Sequence, residues 1–321
     1  MSDWRPSASL DTIAARARLL HQLRDFFAAR NVMEVETPLL AQATVPDPNL
    51  EVFAVSTNVM GESPYRFLQT SPEFAMKRLL AAGSGDIFQI SKAFRKEESG
   101  RHHNPEFSLL EWYRVDWDHR MLIREVAELV CEMLGRAGWQ VWTYRALFQE
   151  HLSVDLFDPG IGRLQLLDVA HQRIGDMPPD LDYDAALALL MTHCIEPAIS
   201  DWGVVFVTEF PVSQAALART MAVDSGAVAA RFECYVDGCE IANGYWEQCD
   251  VAALTAQFVT DNEQRQQRGL PIRELDQRLL AAQAEGLPDC AGVALGVDRL
   301  LALQTGVSSL AETLSFDWHR A

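Results

Sequence analysis

The sequence predicts an α+β fold, a mostly antiparallel sheet of about six strands flanked by helices. Apolar and charged residues alternate up to Arg95, a loop carrying Gly100, Arg101 and two histidines follows, and alternation resumes after Asn104-Pro105, which describes a strand, a loop and a strand. Asp237-Gly238 separates two further alternating runs and has the composition of a two-residue hairpin turn. Between these strands lie stretches whose apolar residues recur at helical spacing.

The elements follow in order. Leu10, Ile13, Ala17, Leu20, Leu23 and Phe27 after Ser9 predict a capped amphipathic helix over residues 10–30, with a strand at 32–36 directly behind it. Ser71-Pro72-Glu73 precedes Phe74, Met76, Leu79 and Leu80 and stops at Gly83, which reads as an N-cap, a proline in the first turn and a glycine C-cap. The strand, loop and strand around residues 90–113 come next. Asp118 to Gly135 is a second long amphipathic helix. From about Trp139 to Ser200 short apolar patches alternate with Pro159-Gly160, Pro178-Pro179 and Asp180-Leu181-Asp182, the pattern of a helical insertion at about 139–200 in a single domain of 1–321.

Strands return at Val204–Phe210, Arg231–Val236 and Cys239–Asn243, and helices close the chain at Asp250–Arg268 and about Glu274–Ala284. Glu240 and Glu247 are seven apart, a separation that sends them to opposite faces of an unbroken strand; a bend or bulge at Asn243-Gly244 would bring them together.

Period-2 geometry puts Phe107, Leu109, Glu111 and Tyr113 on one face of the second hairpin strand. Glu111 then lies roughly 13 Å along the strand from Phe107, a spacing that suits a flat base stacked at one end and a cationic tail held at the other. Arg95 on the first strand adds a charged fork for phosphate oxygens.

At 321 residues with 49% hydrophobic content the chain is long enough for a large buried core. No apolar run reaches the ~20 residues of a membrane span, and Met1 to Pro6 lacks an apolar signal core, so cytoplasmic residence is expected. The six cysteines form no Cys-x-x-Cys pair, have no histidine at zinc-site spacing and read as free thiols. A formal net charge of −18 without a basic run argues against stable binding to a polyanion such as tRNA.

Arg95 with Glu97, then Arg101 and His103-Asn104-Pro105-Glu106-Phe107, resembles motif 2 of class II aminoacyl-tRNA synthetases in its lysine-specific form. Gly292-Val293-Ala294-Leu295-Gly296-Val297-Asp298-Arg299-Leu300 resembles motif 3, and the first helix followed by Val32 to Pro38 resembles motif 1. The resemblance implies the class II synthetase core and a homodimer built on motif 1. It also implies ATP-dependent adenylation of a lysine-like substrate with Mg²⁺. In that chemistry Arg95 holds the α-phosphate, Arg299 the γ-phosphate, and Arg101 and His103 close over the triphosphate. Phe107 stacks on adenine, with Lys96, Glu97, Asn104, Ile241 and Gly296 completing the ATP site. Glu240 and Glu247 are a hard-oxygen pair for Mg²⁺. Ser71, Pro72 and Glu73 face the substrate amine, Ala294 the pocket wall, and Glu111, Tyr113 and Glu247 form an acidic pocket for the side-chain ammonium.

A lysyl-tRNA synthetase carries an N-terminal anticodon-binding barrel before motif 1, whereas motif 1 here begins near residue 10. Nearly the whole chain resembles the elongation factor P lysine ligase family, and the expectation is activation of (R)-β-lysine, or less efficiently α-lysine, and its transfer to a lysine of elongation factor P. The alternatives are a lysyl-tRNA synthetase-like enzyme acting on tRNA and a non-catalytic lysine or ATP sensor. Three residues depart from the family pattern: Lys96 where Asn is usual, Trp246 where His or Ser is usual, and Gln248 where Leu is usual.

Overall fold

A computed structural model describes residues 4–57, 64–158, 160, 162–175, 181–224 and 226–321. The chain divides into two compact units, one of Met1–Trp117 with Gln248–Ala321 and the other of Asp118–Glu247.

In the first unit the opening helix is Leu10–Ala28, and Ser9 caps it by accepting the Thr12 N–H at 3.0 Å. The strand behind it is shorter than the alternation predicts: only Met33–Glu34 pair, in parallel with Ile87–Phe88. The hairpin forms as expected from Ile87–Phe94 and Glu106–Val115, antiparallel in unbroken register from Ile87 opposite Tyr113 to Phe94 opposite Glu106. Cys290–Gly296 pairs antiparallel on the other side of Glu106–Val115, from Cys290 opposite Val115 to Gly296 opposite Leu109. The first helix packs on this sheet through stacked Phe27 and Phe88 rings, 4.5 Å apart, with Trp112 edge-on at 5.3 Å. Leu40–Ala41, Tyr65–Leu68 and Ala54–Ser56 form a separate three-stranded sheet.

Helix Glu73–Ala81 differs from its predicted start. Pro72 occupies the cap position with no side-chain hydrogen bond, so Ser71 is not the cap. Proline's fixed φ suits a helix entrance, and the Pro72 carbonyl accepts the Ala75 and Met76 N–H groups at 3.1 and 3.0 Å. Val251–Gln267 and Gln277–Gly286 follow Asp250 and Asp276, whose carboxylates accept the first free N–H groups.

The second unit starts with helix His119–Leu134, capped by Asp118 and closed by Gly135 at φ +62°. Its sheet runs Cys239–Trp246, Gly226–Val236, Val204–Pro211, Trp139–Thr143, all antiparallel neighbours except the last, which is parallel; Thr220–Val223 also pairs with Gly226–Val236. With four strands in the main sheet of the first unit and five in this one, the described residues hold more strand than the six expected. The region read as a helical insertion opens with the Trp139–Thr143 strand and continues as helices Tyr144–Leu152, Arg163–Arg173 and Tyr183–Leu190. Pro159 and Pro178 to Asp180 lie outside the described residues. These helices bury Leu147, Phe148, Leu166, Leu187 and Leu190 against Val205, Val207 and Tyr235 of the sheet.

Asp237-Gly238 makes the predicted turn, with φ of +51° and +78°. A side chain at Gly238 would put its Cβ 2.7 Å from the Glu196 carbonyl, so glycine is required there by space as well as by backbone. Among the described residues no helix is long and apolar enough to cross a membrane.

Candidate active site

The first unit places Phe107, Glu111, Tyr113 and Ala294 on one sheet face. Register sets Gln89, Glu111 and Ala294 in one row across three strands, and Ile87, Tyr113 and Gly292 in the next. Residues directly opposite share a face and stand about 4.5–5.5 Å apart at Cβ. Glu111 is 2% exposed, and the buried Tyr113 hydroxyl donates to its Oε1 at 2.7 Å. A buried carboxylate is a strong attractor for a cation, because burial weakens the competing hydration of both charges. Phe107 lies along the same strand on the same face, partly buried.

Gln89 was missed in the sequence. Its side chain is buried and its Oε1 has no hydrogen-bond partner, an orphaned acceptor in the Glu111 row. Counting the hairpin register back from its loop would have found it, since the residue opposite Glu111 must share its face.

Glu73 and Lys77 pair at 2.5 Å across one helical turn, with Pro72 buried and Ser71 half-buried beside them. This is the ordinary helix-surface pairing as well as the place expected for a residue facing an amine.

The charged end lies in the hairpin loop. Arg95 bonds Glu98 at 3.1 Å and its guanidinium sits 5.1 Å from the Phe107 ring centroid. Arg299, in the first turn of helix Val297–Thr305, stands 3.1 Å from His103 Nε2. Burial, then the Arg299 charge, lowers the His103 pKa, while Glu98 opposes them. The imidazole is therefore neutral at pH 7, and its Nε2 accepts from Arg299. Arg95 and Arg299 thus bring two positive charges to either side of a neutral His103.

Asp298 explains why Arg299 is held so firmly. It is buried, accepts the Ser108 N–H at 2.7 Å and pairs with Arg16 of the first helix. The carboxylate ties two elements, the first helix and the second hairpin strand, to the start of the Arg299 helix. Gly296 precedes it, and a Cβ there would sit 3.6 Å from Arg299 Cδ, an ordinary contact. Glycine leaves the approach to the guanidinium open rather than relieving strain.

The other loop residues divide between solvent and structure. Lys96 and Glu97 are exposed, and the Lys96 N–H donates to the Glu51 carbonyl at 2.9 Å. Asn104 donates to the Glu106 carbonyl at 2.6 Å and accepts the Trp318 N–H at 3.0 Å. Arg101 donates through Nε to the Ser308 carbonyl at 2.9 Å, and its own carbonyl accepts the Leu310 N–H at 2.9 Å. Residues 308–318 therefore grip the loop at two points.

In the second unit Glu240 and Glu247 lie on the Cys239–Trp246 strand and just beyond it. The bulge exists, but not at Asn243-Gly244. Cys234 faces Ala242 while the next residue, Tyr235, faces Glu240, so Ile241 is the extra residue. Buried Ile241 anchors the bulge, and Asn243-Gly244 stays in regular pairing with Glu233 and Phe232. One extra residue flips the parity, which puts Glu240, Asn243, Tyr245 and Glu247 on a common face. Asn243 Oδ1 is buried on that face with no hydrogen-bond partner. Glu247 is 1% exposed. Among the described residues no group of three or more histidines, cysteines or acidic residues could hold a metal. A pair of carboxylates still suits Mg²⁺, which takes one or two and leaves its other positions to phosphate and water.

The model of class II tRNA synthetases for aspartate, lysine and asparagine matches residues 1–319. The chain belongs to this family. Among the relatives of this class II synthetase are proteins named elongation factor P–(R)-β-lysine ligase. The Salmonella gallinarum protein is 43% identical over 329 residues, covering 99% of this chain and 98% of the relative. The Salmonella paratyphi B protein is 44% identical over 326 residues with the same coverage. Class II membership matches the antiparallel core and the order of the three motifs read in the sequence.

Proposed function

We propose that the protein is an ATP-dependent ligase that activates (R)-β-lysine, or less efficiently α-lysine, as an adenylate and transfers it to one lysine of elongation factor P. The observation that carries this reading is the near end-to-end likeness, at 43–44% identity, to enzymes bearing that name. The buried Glu111–Tyr113 pair supports it as a receptor for an ammonium tail.

The chemistry has two steps. A substrate carboxylate oxygen attacks the α-phosphorus of ATP and pyrophosphate leaves. The neutral amine of the acceptor lysine then attacks the acyl carbon, AMP leaves, and the amide nitrogen loses a proton. Arg95 and Arg299 neutralise charge that builds on the phosphates, and His103 holds the Arg299 fork in place. Glu240 and Glu247 are the residues that would hold Mg²⁺, which neutralises phosphate charge when bound. Tyr113 orients the Glu111 carboxylate toward the substrate cation, and Glu247 keeps its assignment to that cation. Action as a homodimer in the cytoplasm, without stable tRNA binding, completes the proposal.

Incubation with ATP, labelled lysine isomers and either purified elongation factor P or bulk tRNA tests it. Label is expected on the protein acceptor; label on tRNA alone would make the enzyme a synthetase. No pyrophosphate exchange with any diamino acid would remove the adenylation step.

Two substitutions refine the site. Glu247→Gln is expected to raise KM for the amino acid much more than KM for ATP, since a cation with a weakened partner in a buried site costs about 1–3 kcal/mol; an unchanged KM for the amino acid would leave Glu247 to the metal alone. Ala294→Gly removes a methyl beside Glu111, and one methyl in a pocket is worth roughly 1–3 kcal/mol. The kcat/KM ratio of α-lysine to (R)-β-lysine should rise by at least about tenfold. An unchanged ratio places the selectivity elsewhere.

A further inference from the structure

Trp246 stands directly before Glu247, at one of the positions where the chain departs from the lysine-type pattern. Its surroundings converge on one residue, Arg219. The Arg219 backbone N–H donates to the Trp246 carbonyl at 3.0 Å, and its Nε donates to the Glu247 carbonyl at 3.0 Å. These two carbonyls belong to the peptide groups on either side of the Glu247 Cα. Holding both planes fixes φ and ψ of Glu247, and so the direction in which its side chain leaves the backbone. An isolated antiparallel bridge from Ala218 to Glu247 reinforces the same point.

The Arg219 guanidinium is itself held. It lies 4.1 Å from the centroid of the Trp246 ring, within the range of a cation over an aromatic face. His119 stacks on the same indole, centroids 6.3 Å apart and planes within 24°. His119 is 1% exposed, and neither ring nitrogen has a hydrogen-bond partner. A fully buried polar ring that makes no hydrogen bond is held there by its packing. Burial, only partly countered by Asp118 and assisted by Arg120, lowers its pKa to about 4, so the imidazole is neutral at working pH. Neutrality matters chemically: a protonated ring would bring a second positive charge to the indole that already carries Arg219.

We propose that Arg219, Trp246 and His119 form a stacked clamp that positions the Glu247 carboxylate and thereby sets affinity for the amino-acid substrate. They are positioning residues, acting through Glu247. The proposal rests on the reading that Glu247 meets the substrate cation.

The test compares Arg219→Lys, His119→Ala and His119→Phe in pyrophosphate exchange, with KM measured for each lysine isomer and for ATP, and thermal midpoints recorded. Lysine keeps the charge and the backbone N–H but lacks the planar fork and its Nε. Arg219→Lys and His119→Ala should raise KM for the amino acid about tenfold, equivalent to about 1.4 kcal/mol, and KM for ATP much less; the thermal midpoint should hold in Arg219→Lys and fall in His119→Ala, which empties a packed site. His119→Phe preserves a flat ring without the nitrogens and should stay within about twofold of the parent protein, because stacking and not hydrogen bonding is the required property. An unchanged amino-acid KM in Arg219→Lys, a parallel rise for ATP, or a Phe variant as impaired as the Ala variant each overturns the clamp. If Glu247→Gln itself leaves the amino-acid KM unchanged, the underlying assignment fails; if it raises KM and Arg219→Lys does not, only the clamp fails.

Discussion

Replacing Arg299 with alanine is expected to abolish lysine-dependent exchange of pyrophosphate into ATP, by roughly 10²–10³-fold or more. The guanidinium is braced by neutral His103 and is presented by a helix start that Asp298 bolts to the first helix and to the hairpin. Its assigned work is done as pyrophosphate departs, when phosphate charge is greatest, so the loss falls on turnover more than on folding. Asp298 keeps its own contacts in the variant, and the thermal midpoint should stay near that of the parent. An independent readout is His103: the Arg299 charge lowers its pKa, so the substitution should move that pKa upward in an NMR titration. Parent-level exchange would take Arg299 out of the site.

The second large effect concerns stability. Arg265 is fully buried, and its guanidinium donates to the carbonyls of Pro271 at 2.8 Å and Asp47 at 2.9 Å and pairs with Glu51. Arg265→Met keeps most of the volume but leaves those acceptors without their donor. Removing one partner of a buried ion pair costs about 3–5 kcal/mol, with Arg273, 3.2 Å from Glu51, softening the loss. Urea unfolding should show it as a lower midpoint at constant slope. The Glu51 carbonyl also accepts the Lys96 N–H, so the loop after Arg95 should loosen and KM for ATP should rise. An unchanged midpoint would mean that solvent enters the site and replaces the guanidinium.

What could be read from the sequence is local. Ser9, Asp118 and Asp250 announce helices because each cap acts within three residues, and Asp237-Gly238 announces a turn because its φ values admit few residue types. The hairpin face carrying Phe107, Glu111 and Tyr113 follows from the two-residue period alone, and the letters of the three motifs supplied the chemistry. The rest depends on partners distant in sequence. Whether Ile241 or Asn243 bulges is decided by packing against Cys234 and Tyr235, and a glycine nearby drew the expectation to the wrong residue. Gln89, Asp298 and Arg265 look like ordinary polar residues until register and burial place them. Ser71 looked like a cap because Pro72 was expected inside the first turn, whereas Pro72 itself takes the cap position.

The grip of residues 308–318 on the hairpin loop sets an order of events during synthesis. Arg101 and Asn104 reach partners 207 and 214 positions further along the chain. At roughly 5–20 residues per second, the ribosome takes about 10–40 s to deliver those partners after the loop itself has emerged. During that interval the hairpin strands can pair, but the loop between them lacks both of these long-range tethers. The charged hairpin loop is thus among the last parts to mature, after both strands that flank it.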